Sequence, residues 1–396
     1  VTLNTGNIDN GTGTIAAGRD LVITAATLAN AAGGGLWAER GARLSVSDTL
    51  TNRGSIGAGT LLQANAATLD NGSGTDVGTL AAGEHLSLGF TNANLGRLVT
   101  GSDLTLAPTG DYIHAASANL AALGLLTLNI GGSLTNQGHL EGGTGVAINA
   151  GNNLANAATG EIIGTLVATR AAGDVLNEGL INGSNVGLSA TNITNTARIY
   201  GDNVRVSGTS SIRNLGSDAV IATRSGLLAL ESAGAIENRN AAFLYSLGDL
   251  SIGGMGGSGS AASLINSSAT IQAQGNGLIS AGSITNMREL FTWDDVVTMT
   301  SVPDHIVYPT RPGYRKTELK YDETRTETAI TADSGEGRII IGGNLDITTQ
   351  ALANLYSTIS AGGSLNINGT SADLAGGTIT NTALVGRLTI DRTGRY

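Results

Sequence analysis

The chain lacks cysteine altogether and is poor in proline, aromatic residues and charge. Among its 396 residues are 4 prolines and 4 histidines, while 3% are aromatic and 13% are charged. Without cysteine, neither a disulfide framework nor a cysteine-based zinc site can form. The scarcity of charged, aromatic and histidine side chains leaves little material for a pocket of converging polar groups, which disfavours an enzyme. The 41% hydrophobic content also argues against disorder driven by charge.

The charges that are present carry an acidic excess. Lysine and arginine number 21 against 31 aspartates and glutamates, which gives a net charge of −10. A protein that neutralises phosphates needs a basic face, so this balance argues against nucleic acid and anionic membranes as partners. Apolar runs also stay shorter than the ~18 residues of a membrane-spanning helix, and we therefore predict no membrane-spanning segment.

What the chain has instead is glycine, at 59 positions, and an internal repeat. Each unit ends in Leu or Ile, any residue, then Asn, at intervals of roughly 20 residues. Because the first residues already resemble the repeat, we expect the chain to be an interior segment of a longer protein. Copies of the motif lie at residues 8–10, 28–30, 50–52, 69–71, 90–92 (with Phe90 as the apolar residue), 134–136, 154–156, 193–195, 212–214, 236–238, 264–266, 284–286, 352–354 and 379–381, with a looser copy at Asn177.

Within a unit, the apolar residues are spaced as in short strands. One unit has Ile15, then Leu21 and Ile23, then Leu28 and Asn30. A spacing of two is the strand period, whereas the longer gaps pass through Gly, Ala or Asn and indicate corners. A unit of three short strands cannot bury its apolar face alone, but stacked coils can. The sequence therefore predicts an all-β, right-handed parallel β-helix of about 16–17 coils, each of roughly 20 residues.

The asparagine that closes each unit lies two residues after an inward-facing Leu or Ile. Its amide can then bond the amides of the coils above and below, in a ladder that satisfies buried polar groups without charge. The alternative is a turn residue that tolerates a left-handed conformation. Between Asn92 and Asn136, His114 stands where Asn is expected, which predicts one coil with an interrupted ladder. The predicted ladder residues are Asn30, Asn52, Asn71, Asn136, Asn156, Asn195, Asn214, Asn238, Asn286, Asn354 and Asn381.

Residues 288–338 interrupt the repeat. About a third of them are charged, against about a tenth of the remaining residues. We therefore divide the chain into a β-helix shaft (1–287), a charged insertion outside the helix (288–338) and the continued shaft (339–396). Two strand-like runs, from Phe291 to Thr300 and from Lys316 to Ile330, flank a long turn between Pro303 and Gly313. This pattern predicts a β-hairpin that leaves one corner of the rod.

The composition of the insertion is that of a protein interface, with exposed aromatic residues beside arginine. The alternative is structural: a flap that packs on the rod and covers apolar surface, or simply a tolerated insertion. The candidate partner-contact residues are Trp293, Tyr308, Arg311, Tyr314 and Arg315.

The repeat units resemble those of a known family. The stretches GGSLTNQG (131–138) and ISAGGSLNI (359–367) look like filamentous-haemagglutinin repeats, and the resemblance covers about 345 of the 396 residues. It implies an interior shaft segment of a two-partner-secretion exoprotein, either a CdiA-like contact-dependent growth inhibition toxin or a filamentous adhesin. Such a protein is secreted to the surface of a Gram-negative bacterium through an outer-membrane transporter. It projects a receptor-binding or toxin domain towards a receptor on a target cell.

Parallel β-helices also include polysaccharide-active enzymes, whose sites need carboxylates clustered on one outward face. Here the shaft acids do not recur at the repeat spacing, and the adjacent Asp294 and Asp295 would point to opposite faces of a strand. Three functions stay open: a structural shaft, a direct adhesin that binds host or bacterial surfaces through the shaft or its insertion, and a polysaccharide-active enzyme. The shaft is favoured, with no catalytic residues, metal ligands or cofactors expected.

Overall fold

Parallel strands stacked along one axis make up almost all of the molecule. The structure, a computed structural model, describes residues 1–73, 76–307, 317–368 and 378–395. Its strands form about 16 turns of a parallel β-solenoid, with about 21 residues in each coil. The predicted all-β parallel β-helix is therefore confirmed, while its right-handed sense stays a prediction. In the part of the chain that is described, no helix has the length and apolar character needed to cross a membrane.

The strands follow one another closely from end to end. The first group comprises β1 (Thr2–Asn4), β2 (Asn7–Gly11), β3 (Thr14–Ala17), β4 (Asp20–Asn30), β5 (Gly35–Ala38), β6 (Gly41–Asn52), β7 (Ser55–Ala58), β8 (Leu61–Asp70), β9 (Gly72–Ser73), β10 (Asp76–Val77), β11 (Thr79–Ala82), β12 (His85–Asn94), β13 (Arg97–Thr100) and β14 (Asp103–Pro108). The second comprises β15 (Tyr112–His114), β16 (Asn119–Ala122), β17 (Leu125–Ile130), β18 (Leu134–Asn136), β19 (His139–Ala150), β20 (Leu154–Asn156), β21 (Glu161–Ala171), β22 (Val175–Asn177), β23 (Leu180–Asn195), β24 (Arg198–Gly201), β25 (Asn203–Leu215), β26 (Val220–Thr223), β27 (Leu228–Ser232) and β28 (Ala235–Arg239). The third comprises β29 (Phe243–Ser246), β30 (Leu250–Gly253), a 3₁₀ turn (Met255–Gly257), β31 (Ala261–Ser267), β32 (Thr270–Ala273), β33 (Gly277–Met287), β34 (Phe291–Val307), β35 (Thr317–Asp333), β36 (Arg338–Ile341), β37 (Leu345–Thr348), β38 (Ala351–Leu355), β39 (Thr358–Ala361), β40 (Leu365–Ile367), β41 (Thr378–Thr382) and β42 (Leu388–Arg395).

Each coil has three faces, which we number in chain order. In one coil, β5 forms face 1, and β6 runs along face 2 and then face 3. The strand β6 turns the corner between the two faces at a register shift between Val46 and Thr49, so one long strand serves both faces. In most coils each face pairs in parallel with the same face of the next coil, as β4, β6 and β8 do.

Alternation of apolar and polar residues decides which side chains fill the rod. In β17 the side chains of Leu126, Leu128 and Ile130 are buried, while the residues between them point outwards. Period-two alternation is what a half-buried strand requires. Each fully buried Leu or Ile contributes about 1.5–3 kcal/mol of hydrophobic stabilisation, and the stacked columns form one continuous core.

The asparagines at the end of face 3 stack along the axis. Within each run of this stack, the Nδ2 atom donates to the Oδ1 atom of the asparagine one coil further on, over 2.8 Å from Asn10 to Asn30 and 2.6 Å from Asn52 to Asn71. The same Nδ2 atoms also donate to backbone carbonyls, for example from Asn52 to Thr79 over 3.1 Å. Because all bonds point the same way, the stack is a head-to-tail ladder that fits the sequence prediction. The first run comprises Asn10, Asn30, Asn52 and Asn71. The second, longer run comprises Asn136, Asn156, Asn177, Asn195, Asn214, Asn238, Asn266, Asn286, Asn354 and Asn381.

The ladder is interrupted in two successive coils, and not in one as predicted. Asn71 donates to the backbone carbonyl of Leu95 over 2.7 Å, so Leu95 occupies the ladder position of its coil. Asn92, which the repeat motif suggested for this coil, instead pairs with Thr68 and is exposed. In the next coil His114 occupies the position as predicted, with its Nε2 atom 3.1 Å from the carbonyl oxygen of His139. The sequence motif selected the wrong asparagine because Phe90, its apolar residue, is the last inward-facing residue of face 2. Asn92 therefore lies at the start of face 3 and not at its end.

Glycine is needed at corners where successive coils approach each other closely. Gly59, Gly83 and Gly101 stack in one such column between faces 1 and 2. A Cβ atom on Gly83 would overlap the carbonyl oxygen of Gly59, and one on Gly101 would overlap that of Gly83. These contacts are with backbone, which cannot rotate away as a side chain can. The close approach of backbones at these corners therefore explains part of the high glycine content.

Candidate partner-contact site

The candidate site stands at one corner of the rod, where the chain leaves the coil. In the preceding coil three residues connect Asn266 to Thr270, which begins face 1. In the next coil the equivalent positions are Asn286 and Arg338, since Arg338 pairs with Thr270. The insertion therefore replaces a short corner, and the rod continues beyond it in the same register.

Hydrogen bonds from the preceding coil hold the root of the insertion. The hydroxyl of Ser268 lies 2.7 Å from that of Ser334 and accepts a bond from the backbone N–H of Glu289 over 2.7 Å. The Ser334 hydroxyl in turn accepts from the backbone N–H of Leu290 over 2.8 Å. Ser268 has a φ of 46°, in the left-handed region. The two ends of the insertion are thereby joined to each other and to the rod.

A charged pair also closes this root. The guanidinium of Arg288 bonds the carboxylate of Asp333, and its Nε atom donates to the carbonyl of Tyr356 over 2.6 Å. The hydrogen bond from Arg288, together with one from the backbone of Gly335, keeps the pKa of Asp333 below its usual value. Arg288 therefore links the insertion to the coil on its C-terminal side.

Aromatic side chains extend the contact between insertion and rod. The ring centroids of Phe291 and Trp293 each lie close to that of Tyr356, at 4.8 and 5.4 Å. The Arg288 guanidinium lies 4.8 Å from the centre of the Phe291 ring, at cation–π distance. Trp293, one of the predicted partner-contact residues, is 44% exposed and also packs on the rod. The other four (Tyr308, Arg311, Tyr314 and Arg315) lie outside the described residues.

The insertion carries a three-stranded antiparallel sheet in the order β34–β35–β42. The predicted hairpin is present as β34 paired with β35. The first strand is longer than expected: it continues through Pro303, assigned to the turn, to Val307. A register irregularity between Val302 and His305 accommodates this proline, which cannot donate to a ladder.

The third strand of this sheet comes from residues that the sequence division placed in the continued shaft. Strand β42 pairs with β35, with Glu323 opposite Arg392 and the two side chains 2.9 Å apart. A second ion pair, between Arg387 and Asp295 at 3.5 Å, connects the residue before β42 to β34. The alternation of Leu388 and Ile390 with polar residues is the sequence signal that marks this strand. The division at 288 and 338 stays a prediction.

Large apolar side chains remain exposed on both faces of this sheet. Val296 and Val297 are neighbours on β34 and so point to opposite faces, and both are exposed. Met299, on the same face as Val297, is 74% exposed. Leu388 and Ile390 are exposed on β42. Such apolar surface with a charged border is typical of a protein-contact surface and unusual for a sheet that faces only water.

Titratable groups elsewhere in the described part of the chain form ion pairs and small local groups. The His139 ring lies between the carboxylates of Glu161, at 2.9 Å, and Glu141, at 3.1 Å. Burial opposes the charged imidazole, but the two carboxylates outweigh it and raise the pKa of His139. Among the described residues, no three His, Asp or Glu side chains are grouped so that they could hold a metal ion.

Comparison with known proteins finds a sequence similarity to one large protein. The chain is 31% identical, over 323 residues, to the Deoxyribonuclease CdiA of Dickeya dadantii strain 3937. It is similar to part of a CdiA protein. The aligned segment is 73% of this chain but only 9% of that relative's length. No family model and no solved structure matches the chain. The similarity and the stacked coils together fit a filamentous shaft region of a contact-dependent inhibition protein.

Proposed function

We propose that this chain is an interior shaft segment of a large exoprotein that projects a receptor-binding or toxin domain towards a target cell. The observation that carries the proposal is the unbroken pairing of face 2 from coil to coil, in a chain similar to CdiA. A solenoid is quasi-one-dimensional, so its length follows directly from the number of coils. Such a rod separates whatever lies at its two ends by a set distance.

The repeats, in this proposal, are of the filamentous-haemagglutinin type and reach the surface of a Gram-negative bacterium by two-partner secretion. Two properties support this route. The chain has no cysteine, so no disulfide can trap it before it crosses an outer-membrane transporter. Each coil pairs with its immediate neighbours, so folding can proceed from whichever end emerges first.

The segment itself, in this proposal, is not an enzyme. The relative's name describes a deoxyribonuclease, and we assign any such activity to parts of the full-length protein outside this segment. The net charge of −10 supports this assignment, because a nuclease must approach phosphates. The remote alternative, a polysaccharide-active enzyme, lacks support because the shaft carboxylates are scattered.

Removal of whole coils tests the shaft function in the full-length protein. Deletion of residues 157–195 joins Asn156 to Thr196 and removes two coils, which shortens the rod by about 10 Å. We expect secretion and target-cell inhibition to be retained, with a shorter filament in electron micrographs. Deletion of residues 157–185 is the control, because it joins different faces and should abolish secretion of folded protein. Loss of inhibition by folded, secreted whole-coil variants would contradict the shaft function.

Direct adhesion is the second candidate, and the exposed apolar surface of the three-stranded sheet favours it. Purified chain should bind target cells saturably if this sheet or the shaft is an adhesin. Replacing Val297 and Met299 by Thr would then weaken binding, whereas the matched change Thr324→Ser would not. If the purified chain binds no target cells, the adhesin function is excluded and the shaft function is unaffected.

A further inference from the structure

The stack of coils is split on two of its three faces between β13 and β16. On face 1, strands β3, β5, β7, β11 and β13 form a separate five-stranded sheet that ends at β13. The face resumes with β16, which pairs with β19. On face 3, β15 pairs with β18, while the end of β12 pairs with β8. Within the described residues, neither β13 nor β16 has a partner strand on the side facing the other.

Face 2 holds the two halves of the rod together at this point. Strand β14 pairs with β12 over its whole length, from His85 opposite Asp103 to Phe90 opposite Pro108. It also pairs with β17. The split is therefore a wedge that opens through faces 3 and 1, with its closed edge on face 2. The wedge contains a cavity of about 560 Å³. Residues from both sides of the split line it, including Leu95, Leu98, Tyr112, His114 and Leu120.

Residues that belong to the core are partly uncovered inside this cleft. Leu98 continues the inward column of Leu36, Ile56 and Leu80, all of which are fully buried. Leu98 itself is only half-buried, and so is Leu95 at the adjacent ladder position. Apolar core surface in the middle of a rod is favourable to cover.

Two bulky aromatic side chains stand beside this cleft, in columns that elsewhere hold smaller residues. Tyr112 stands in the inward column of face 3, where its neighbour in the next coil is Leu134. Its ring packs edge-to-face on Phe90, with the centroids 6.1 Å apart. Phe90 likewise stands in a column with the smaller Ala66 and Pro108. The pair therefore has more bulk than the residues at the same positions of the neighbouring coils.

We propose that this cleft is a peptide-binding site in which an extended segment of a partner polypeptide adds a strand between β13 and β16. Both walls are open edges of parallel sheets, so an inserted strand continues the hydrogen-bonding pattern already present on each side. Strand addition of this kind draws affinity from the main chain and specificity from alternate side chains. The inserted segment would place an apolar side chain on Leu98 and an acidic one beside the exposed Arg97.

A peptide with the sequence of residues 154–164, LANAATGEIIG, is the probe. Those residues lie on faces 3 and 1 and pair in parallel with both neighbouring coils. In the same register within the cleft, Ile162 would cover Leu98 and Glu161 would lie beside Arg97. We expect the labelled peptide to bind the full chain saturably in fluorescence anisotropy. The same peptide with Asp in place of Ile162 should bind at least tenfold more weakly. Absence of binding by the first peptide, or equal binding by the two, overturns the proposal.

Restoring the repeat should close the cleft. The double substitution Tyr112→Leu with His114→Asn recreates the Leu-x-Asn motif and removes the ring that packs on Phe90. We expect this variant to keep its circular dichroism spectrum and to lose peptide binding at least tenfold. A folded variant that binds the peptide as the unaltered chain does would show that binding occurs elsewhere, which contradicts the proposal.

Disulfide formation across the cleft tests whether β13 and β16 stay apart in the absence of peptide or come together by themselves. The chain has no native cysteine, so pairs can be introduced cleanly. Val99→Cys with Ala121→Cys spans the cleft, and Glu141→Cys with Ile163→Cys spans adjacent paired strands as the control. We expect the control to oxidise rapidly and the cleft pair slowly, because bridged Cα atoms must lie within about 7 Å. Equal rates would mean that the cleft closes on itself and would overturn the proposal.

Discussion

The side-chain amide of Asn286 donates to that of Asn354 over 2.8 Å, although 68 residues separate the two in sequence. Elsewhere in the ladder the bonded asparagines are about one coil apart in sequence, as Asn266 and Asn286 are, at a separation of 20 positions. The bond therefore joins the coil that precedes the insertion to the coil that follows it. It shows that the rod is continuous in register and that the three-stranded sheet is an addition to one corner of it.

A single ladder asparagine should contribute measurably to stability. Asn214→Ala removes the acceptor of Asn195 and the donor to Asn238, both of which are fully buried. We expect the free energy of unfolding to fall by about 1–3 kcal/mol, the usual cost of leaving buried polar groups unsatisfied. Urea titration followed by circular dichroism measures it. Asn149→Ala, which removes an exposed amide–amide bond, is the control and should change stability by less than about 0.5 kcal/mol.

The corner glycines should not tolerate a methyl group. In Gly83→Ala the new Cβ would overlap the carbonyl oxygen of Gly59, so the backbones of two coils must separate. We expect a loss of about 1–3 kcal/mol in the free energy of unfolding, as for other overpacked sites. The control is Gly187→Ala, where no atom lies within 4 Å of the added Cβ. There stability should stay the same or rise by about 0.4–1 kcal/mol. Equal effects of the two substitutions would refute the steric explanation.

The contacts of His139 with Glu141 and Glu161 should make the free energy of unfolding depend on pH near neutrality. Its two carboxylates raise the folded-state pKa of His139 above the unfolded value of about 6.5. The resulting stabilisation is fully present below about pH 6.5 and is lost as the pH rises through the raised folded-state pKa. His139→Gln should therefore lower the urea midpoint at pH 5.5 and leave it nearly unchanged at pH 9. We expect at most about 1 kcal/mol, because the ring is partly solvent-exposed.

The exposed Glu178→Gln is the control for this pH effect. It removes one exposed charge in a neighbouring part of the rod and leaves His139, Glu141 and Glu161 unaltered. Its urea midpoint should follow that of the unaltered chain between pH 5.5 and pH 9. A pH dependence that survives in His139→Gln would assign the effect to other groups.

The serine pair at the root should hold the insertion without supporting the shaft. Ser334→Ala removes the acceptor of the Leu290 amide and the partner of the Ser268 hydroxyl. We expect amide hydrogen exchange in β34 and β35 to quicken several-fold, which corresponds to about 1 kcal/mol of local stability. Exchange in β20 to β25 should not change. Thr331→Ala removes an exposed hydroxyl contact to Thr292 and should leave exchange at the root unaltered.

The insertion shows where local sequence reasoning reaches its limit. The β-branched and aromatic residues from Phe291 onwards correctly predicted a strand, and its pairing in a hairpin was expected. The sequence assigned Pro303 to a turn, because a proline usually interrupts a ladder, but a register irregularity absorbs it. Packing of Trp293 on Tyr356 was not predicted, since the two residues lie on different parts of the chain and no local pattern links them.

By itself, the sequence determined the coil, the inward columns and most of the asparagine ladder. It could do so because strand alternation and corners are local, and because each coil meets a near-copy of itself, so one unit predicts its neighbours. Only the tertiary structure decided that Leu95 and not Asn92 continues the ladder after Asn71, that the coils part between β13 and β16, and that β42 joins the inserted sheet. These depend on the relative bulk of stacked side chains such as Phe90 and Tyr112, and on pairing between distant segments. Glu323 and Arg392, 69 positions apart in sequence, are brought together only by the tertiary structure.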